Sequence, residues 1–197
     1  MIREFHLADW FTLANAFCGV GGLFAAMAYL QHQDLAHLLT ACALVPAALV
    51  FDVLDGRIAR WRQASSAMGR ELDSLADVIS FGVLPAAIAY AAGLQGEWDR
   101  AVLIFFVACG VSRLARYNVT AESLSQGSDK VAYFEGTPIP TSIVLVGLLA
   151  AAAHAGAVGD ALWGGSVVWL GWTLHPLVLV FFVSGSLMVS RLRIPKL

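Results

Sequence analysis

Apolar positions along this chain fall in long blocks separated by short polar breaks. They show neither the alternation of a half-buried strand nor the single stripe of a helix facing water. A helix that crosses a bilayer needs about 20 mainly apolar residues, and six stretches qualify. They run roughly Phe11–Leu30, Leu35 to the neighbourhood of Arg60, Glu71–Gly93, Ala101–Asn118, Pro138–Ala157 and Leu174–Ser190. Gln31–Asp34 and Gln95–Arg100 are short polar turns, while Thr120–Tyr133 is the longest polar stretch and reads as a loop with room for a short surface helix. Pro138 and Pro140 open the fifth stretch, since proline is tolerated in a first helical turn. Ala161–Thr173 carries Trp163, Trp169 and Trp172 and suits an interfacial segment or the outer end of the last span. Residues 1–10 mix charge with Phe5, Leu7 and Trp10, the pattern of a short helix lying at the membrane surface. The expected fold is therefore an all-α integral membrane protein, with an N-terminal interfacial segment over 1–10 and one six-helix domain over 11–197.

Composition agrees: 59% of the 197 residues are hydrophobic and 13% charged, with a mean hydropathy of +0.74. That excludes an ordinary soluble domain, and a net charge of −2 gives no reason to expect nucleic acid. Cys18, Cys42 and Cys109 lie in apolar segments at no metal-ligand spacing and read as packing residues. The first span lacks a small-residue cleavage site and reads as a retained helix. With six spans, Arg3, Arg57, Arg60, Arg62, Arg70, Arg113, Arg116, Lys130, Arg191, Arg193 and Lys196 fall on one side and Arg100 alone on the other. Positive charge accumulates on the cytoplasmic side, so both termini are expected there, in a cell or endomembrane.

Within this apolar chain the acids stand out. Asp52 and Asp55 close the second stretch, and Asp73 and Asp77 open the third. An acid within a span costs roughly 2.5–3.5 kcal/mol on insertion scales, which makes each a functional candidate. At about 100° per residue, Asp52 and Asp55 share one stripe of their helix, and Asp73 and Asp77 share another. The short connection makes the two helices antiparallel neighbours, so four carboxylates converge. A hard divalent cation, Mg2+ or Mn2+, is what such a group of oxygens favours, and two would suit phosphoryl transfer. Gly56 and Gly69 offer close approach to the backbone, though each alone reads equally as packing or a turn.

Together these residues read Asp52-x-x-Asp55-Gly56-x-x-Ala59-Arg60, eight further residues, then Gly69-x-x-x-Asp73-x-x-x-Asp77. This resembles the signature of the CDP-alcohol phosphatidyltransferase family at every fixed position. The resemblance implies a six-helix membrane fold, usually a homodimer, and metal-dependent transfer of a phosphatidyl group from a CDP-linked lipid to an alcohol. It further implies that Asp52, Asp55, Asp73 and Asp77 form the metal site, with Asp73 and Asp77 catalytic and Asp77 the general base. Gly56, Ala59 and Gly69 would border the CDP group, with Arg60 near its phosphates or supporting the acids.

Three blocks outside the signature resemble the branch of that family that uses L-serine. They are Ser80-Phe81-Gly82-Val83-Leu84-Pro85, Arg113-Leu114-Ala115-Arg116-Tyr117-Asn118-Val119-Thr120, and Tyr133-Phe134-Glu135-Gly136-Thr137-Pro138-Ile139-Pro140-Thr141. The implied substrates are CDP-diacylglycerol and L-serine, in contact with membrane lipid. Serine brings a carboxylate, and Arg113 and Arg116 supply guanidinium groups that pair well with one; their other reading is as anchors of a helix end. Asn118 and Glu135 are candidates for the serine ammonium or hydroxyl, or for loop and cap positions. Thr12 and Asn15 read either as contacts to the nucleotide or as helix–helix hydrogen bonds. The five histidines are scattered and read as bystanders.

Overall fold

The computed structural model describes residues 7–62, 67–125, 133–190 and 193–195. Among the described residues seven α-helices carry the architecture: α1 (Leu7–His32), α2 (Leu35–Arg62), α3 (Ala67–Asp77), α4 (Leu84–Ala92), α5 (Glu97–Ser125), α6 (Ser142–His154) and α7 (Leu179–Val189). Two antiparallel ribbons are added, β1 (Tyr133–Glu135) with β4 (Arg193–Pro195) and β2 (Val167–Trp169) with β3 (Trp172–Leu174). A six-residue π-helical turn, Val78–Val83, joins α3 to α4, so the third apolar stretch is one continuous rod of 25 residues from Met68 to Ala92.

Four rods are long and apolar enough to cross a membrane: Ala8–His32, Leu35–Ile58, Met68–Ala92 and Glu97–Val119. Two shorter apolar helices, Ile139–His154 and Pro176–Val189, follow. The third rod is the central one, with 61% of its apolar window buried against 28% for the other three. The outward faces of α1, α5 and α6 present Phe17 and Phe24, Ile104, and Val144, side chains that hydrocarbon accepts at no cost. Phe81, Leu84 and Ile88 of the central rod are buried with Leu38 and Val45 of α2, Phe106 of α5 and Phe181 of α7. The rings of Phe106 and Phe181 meet edge to face at 5.3 Å.

Several boundaries differ from the sequence reading. No turn separates Trp10 from Phe11: α1 runs unbroken from Leu7, while residues 1–6 of the expected interfacial segment lie outside the described residues. Residues 120–125, expected in a loop, continue α5. Within the tryptophan segment Val167–Leu174 form the β2–β3 hairpin and not the end of a helix, with Trp163, Trp169 and Trp172 exposed.

That hairpin is clamped to the first turn of α5. The buried Asp99 carboxylate accepts from the Gly96 and His175 amides, each at 2.8 Å, and lies 2.5 Å from His175 Nδ1. Glu97 accepts from the Thr173 amide at 3.0 Å, and Trp98 Nε1 donates to the Trp169 carbonyl at 3.1 Å. Asp99 thus satisfies an otherwise orphaned amide at the helix start. His175 has a structural part, tying the hairpin to α5. Between α4 and α5 the chain reverses at Gly93, whose φ of 131° suits a residue without Cβ.

Small residues let α1 approach the central rod. A Cβ on Gly19 would stand 2.5 Å from Ser80 Oγ and 3.2 Å from Ser80 Cα, and one on Gly22 would stand 2.5 Å from Leu84 Cδ2. Close approach of this kind is how helices associate in lipid. Gly21, one face away, has room, its nearest neighbour being Leu44 Cδ1 at 3.6 Å. Overpacking costs about 1–3 kcal/mol, so Gly19→Val is expected to lower the thermal unfolding midpoint in detergent by roughly 3–10 °C. Gly21→Ala should leave that midpoint within about 1 °C, and equal effects of the two changes would show that the seam is not tight.

Candidate functional site

α2 and α3 each carry two aspartates on adjoining turns, Asp52 and Asp55 on the one and Asp73 and Asp77 on the other, and the fold brings aspartates of both helices together. One carboxylate oxygen from each of Asp52, Asp55 and Asp73 lies within 4.8 Å of the others. Asp77 stands outside that triple, one turn further along α3 and nearly buried. Of the four acids that the sequence singles out, three therefore form a cluster and the fourth sits beside it.

Among the residues whose side chains are described, which exclude Arg60 and Arg62, no arginine or lysine forms an ion pair with any of these carboxylates. Asp73 Oδ1 is buried and has no hydrogen-bond partner among the described residues. Oxygens gathered this closely repel one another, and a desolvated carboxylate oxygen without a donor is costly. Protons or a cation can relieve both. A hard divalent cation of the Mg2+ or Mn2+ class prefers oxygen donors of this kind, so the residues present fit such an ion.

The first helix supplies the donors. Thr12 Oγ1 donates to Asp55 Oδ2 at 2.7 Å, and Asn15 Nδ2 donates to Asp77 Oδ1 at 3.2 Å. Ser80 Oγ, from the π turn, donates to the Asn15 carbonyl at 3.0 Å and holds α1 against the central rod. Thr12 and Asn15 are buried, and each makes a helix–helix hydrogen bond directed at the acids. Asp9 is also buried and lies within electrostatic reach of Asp55. It was assigned to the interfacial segment, yet Asp9, Thr12 and Asn15 are spaced three apart and mark one stripe of a helix. That spacing is the signal that locates this third wall.

α5 forms the remaining side. The Arg113 guanidinium, half-buried, lies 5.8 Å over the Tyr117 ring and close enough to Asp77 for the two charges to interact. Its Nε is buried without a partner among the described residues. Arg116 instead donates from Nη2 to the Met188 carbonyl of α7 at 3.4 Å. Asn118 donates to Ser74 Oγ at 3.0 Å and reaches both Glu71 carboxylate oxygens at 3.4 Å, joining α5 to α3 on either side of Asp73. The three residues expected around serine thus separate: Arg113 faces the acids, Arg116 faces α7, and Asn118 faces α3. Gly56 and Gly69 lie on the two helices that carry the acids. The side chains of Ala59, Arg60, Lys130 and Glu135 lie outside the described residues.

Residues 5–183 match the CDP-alcohol phosphatidyltransferase family. The chain is similar to the CDP-diacylglycerol–serine O-phosphatidyltransferase of Saccharomyces cerevisiae, 42% identical over 204 residues that cover 100% of this chain and 72% of the yeast protein. It is 37% identical to the enzyme of that name from Mycobacterium tuberculosis, over 89% of this chain and 57% of the relative. With the Helicobacter pylori protein of the same name it shares 38% identity, over 94% and 70% respectively.

The carboxylate triple generates a binding experiment that needs no substrate. Purified protein in detergent, titrated with Mn2+ and followed by electron paramagnetic resonance of the free ion, is expected to bind it saturably. Asp73→Asn should weaken that binding roughly 10- to 100-fold. Unchanged affinity in the variant would remove Asp73 from the site.

Proposed function

This chain belongs to the CDP-alcohol phosphatidyltransferase family, and on that premise we propose that it transfers the phosphatidyl group of CDP-diacylglycerol to the hydroxyl of L-serine. The products are phosphatidylserine and CMP. The observation that carries this reading is the convergence of the Asp52, Asp55 and Asp73 carboxylates beside a nearly buried Asp77 that lies within charge reach of Arg113.

In this reading Asp52, Asp55 and Asp73 hold Mg2+ or Mn2+, with Asp77 at the edge of the same site. A cation held there neutralises the diphosphate and stabilises the charge that develops on departing CMP. Asp77 accepts the serine hydroxyl proton as that oxygen bonds to the lipid-bearing phosphorus, and the bond from phosphorus to CMP breaks. Gly56, Ala59 and Gly69 border the CDP group, and Arg60 stands near its phosphates. Arg113 pairs with the serine carboxylate; its buried, unpartnered Nε supports this role, because a desolvated guanidinium favours a planar anion. Arg116 and Asn118 hold the end of α5 in place around it.

The membrane setting follows the same logic. Four long rods and two shorter apolar helices give six crossings when the 3-10 turns ahead of α6 and α7 and the outer hairpin complete the short ones. Eleven of the 12 basic residues then face the cytoplasm together with the acids and both termini. The chain works as a homodimer with one such site per subunit.

The test is CMP release from CDP-diacylglycerol by purified protein with Mn2+ or Mg2+, comparing L-serine with glycerol 3-phosphate and inositol. Serine is expected to support release and the others not. Asp77→Asn should lower kcat by about 10²- to 10⁴-fold, the usual contribution of a general base. Arg113→Ala should raise KM for serine roughly 10- to 100-fold, as for a lost charge-assisted hydrogen bond, with KM for the lipid little changed. Release driven by another alcohol would keep the family and overturn the assignment of Arg113.

A further inference from the structure

The first helix touches the acids twice, and the two contacts fall on different sides of a division within the site. Thr12 holds Asp55, a member of the close triple; Asn15 holds Asp77, which stands outside it. We infer that α1 sets the two halves of the reaction separately, Thr12 positioning the metal-binding oxygens through Asp55 and Asn15 positioning the proton acceptor through Asp77. The inference rests on the proposed transfer reaction for its second half and on metal binding alone for its first.

The chemistry of each contact supports the division. A carboxylate on a helix end rotates about its own side-chain bonds, and a donor on one oxygen fixes where the other points. Thr12 makes its bond at 2.7 Å, buried, and the other acceptor within reach of its hydroxyl, the Ala8 carbonyl, is longer at 3.3 Å, so Asp55 is the favoured partner. Residues that orient a ligating group govern metal affinity even though they never touch the ion. Asn15 gives Asp77 Oδ1 one amide proton, leaving Oδ2 for an incoming hydroxyl.

Asn15 also resists a merely structural explanation. Its own Oδ1 is fully buried without a partner among the described residues. A side chain placed only to join α1 to α3 would leave half of its hydrogen-bonding capacity unused at a cost in stability. The Ser80 hydroxyl on the Asn15 carbonyl and the close approach at Gly19 fix the backbone on which this amide is mounted. Both residues therefore act through aspartates and are positioning residues.

The test uses the purified full chain in detergent and reads two quantities, the Mn2+ dissociation constant from electron paramagnetic resonance and the kinetics of CMP release at saturating Mn2+. For Thr12→Val the expected result is Mn2+ binding weakened about 10-fold, a matching rise in the Mn2+ needed for half-maximal rate, and kcat within about 3-fold of wild type once metal saturates. Thr12→Ser, which keeps the hydroxyl, should restore both. For Asn15→Leu the expected result is kcat lowered at least 10-fold at saturating metal, with Mn2+ binding within about 2-fold of wild type. Monodisperse elution and an unfolding midpoint near wild type verify that each variant is folded.

Variants that move both quantities together overturn the division, as does Asn15→Leu weakening Mn2+ binding while Thr12→Val does not. A raised KM for CDP-diacylglycerol at unchanged kcat in Asn15→Leu makes this residue a nucleotide contact and overturns its assignment. Release driven by an alcohol other than serine defeats the acceptor reading and leaves both arms readable with that alcohol. No release with any alcohol overturns the Asn15 half, while Mn2+ binding still decides the Thr12 half.

Discussion

Crowded negative charge at the edge of an apolar medium is the constraint on which the rest of this structure depends. Three carboxylate oxygens within 4.8 Å of one another repel by about 3–4 kcal/mol per ionised pair at an effective dielectric of 20. Nothing in lipid offsets that, so compensation has to come from the protein or from a bound cation. Among the side chains described, no arginine or lysine forms an ion pair with the acids, and Arg113 faces Asp77 rather than the triple. The protein contributes single hydrogen-bond donors instead, Thr12 to Asp55 and Asn15 to Asp77. Such a site is left strongly favourable to a divalent cation, while its oxygens are already aimed.

Holding that arrangement explains features far from it. α1 can deliver donors at hydrogen-bonding distance only if its backbone lies close to the central rod, and Gly19 and Gly22 permit that approach. The π turn at Val78–Val83 follows Asp77 directly and places Ser80 where its hydroxyl reaches the Asn15 carbonyl. π turns inside helices occur often at functional sites because they re-aim side chains without breaking the rod. At the opposite end, Asp99 and Glu97 clamp the hairpin to the first turn of α5. α5 is thereby anchored at its start and joined to α3 near its end through Asn118, and Arg113 is carried between two fixed points.

The apolar blocks and the four aspartates were legible in the sequence because both signals are local: hydropathy counts residues along one segment, and acids at a three- or four-residue spacing reveal their own shared face. What escaped depends on pairing between distant segments. The hairpin of Val167–Leu174 was read as interface from its tryptophans, since Leu170 and Gly171 give a turn signal but the partners of Glu97 and Asp99 lie more than 70 residues away. His175 looked isolated for the same reason. Asp9 was misplaced because charge near a terminus suggests solvent, whereas the continuous α1 carries it into the bundle. The π turn has no residue pattern of its own in Val78–Val83, and the β1–β4 ribbon joins a loop to the C-terminal tail.

The same division of labour bears on how one scaffold can serve different acceptors. On the proposed reading the acids and the donors of α1 address the diphosphate of any CDP-linked lipid and the hydroxyl proton of any alcohol, and carry no information about the rest of that alcohol. Discrimination must come from groups that meet the acceptor away from its reacting oxygen. On this chain Arg113 is the described cation that faces the acids from another helix, half-buried and steadied by Tyr117. A single guanidinium matches the one carboxylate of serine in charge and planarity, whereas a phosphorylated acceptor would bring more charge than one arginine balances. Because α5 is held by contacts other than those of α1, changes along α5 that spare Asn118 would, on the proposed reading, alter which alcohol is accepted while leaving in place the oxygens proposed to hold the cation.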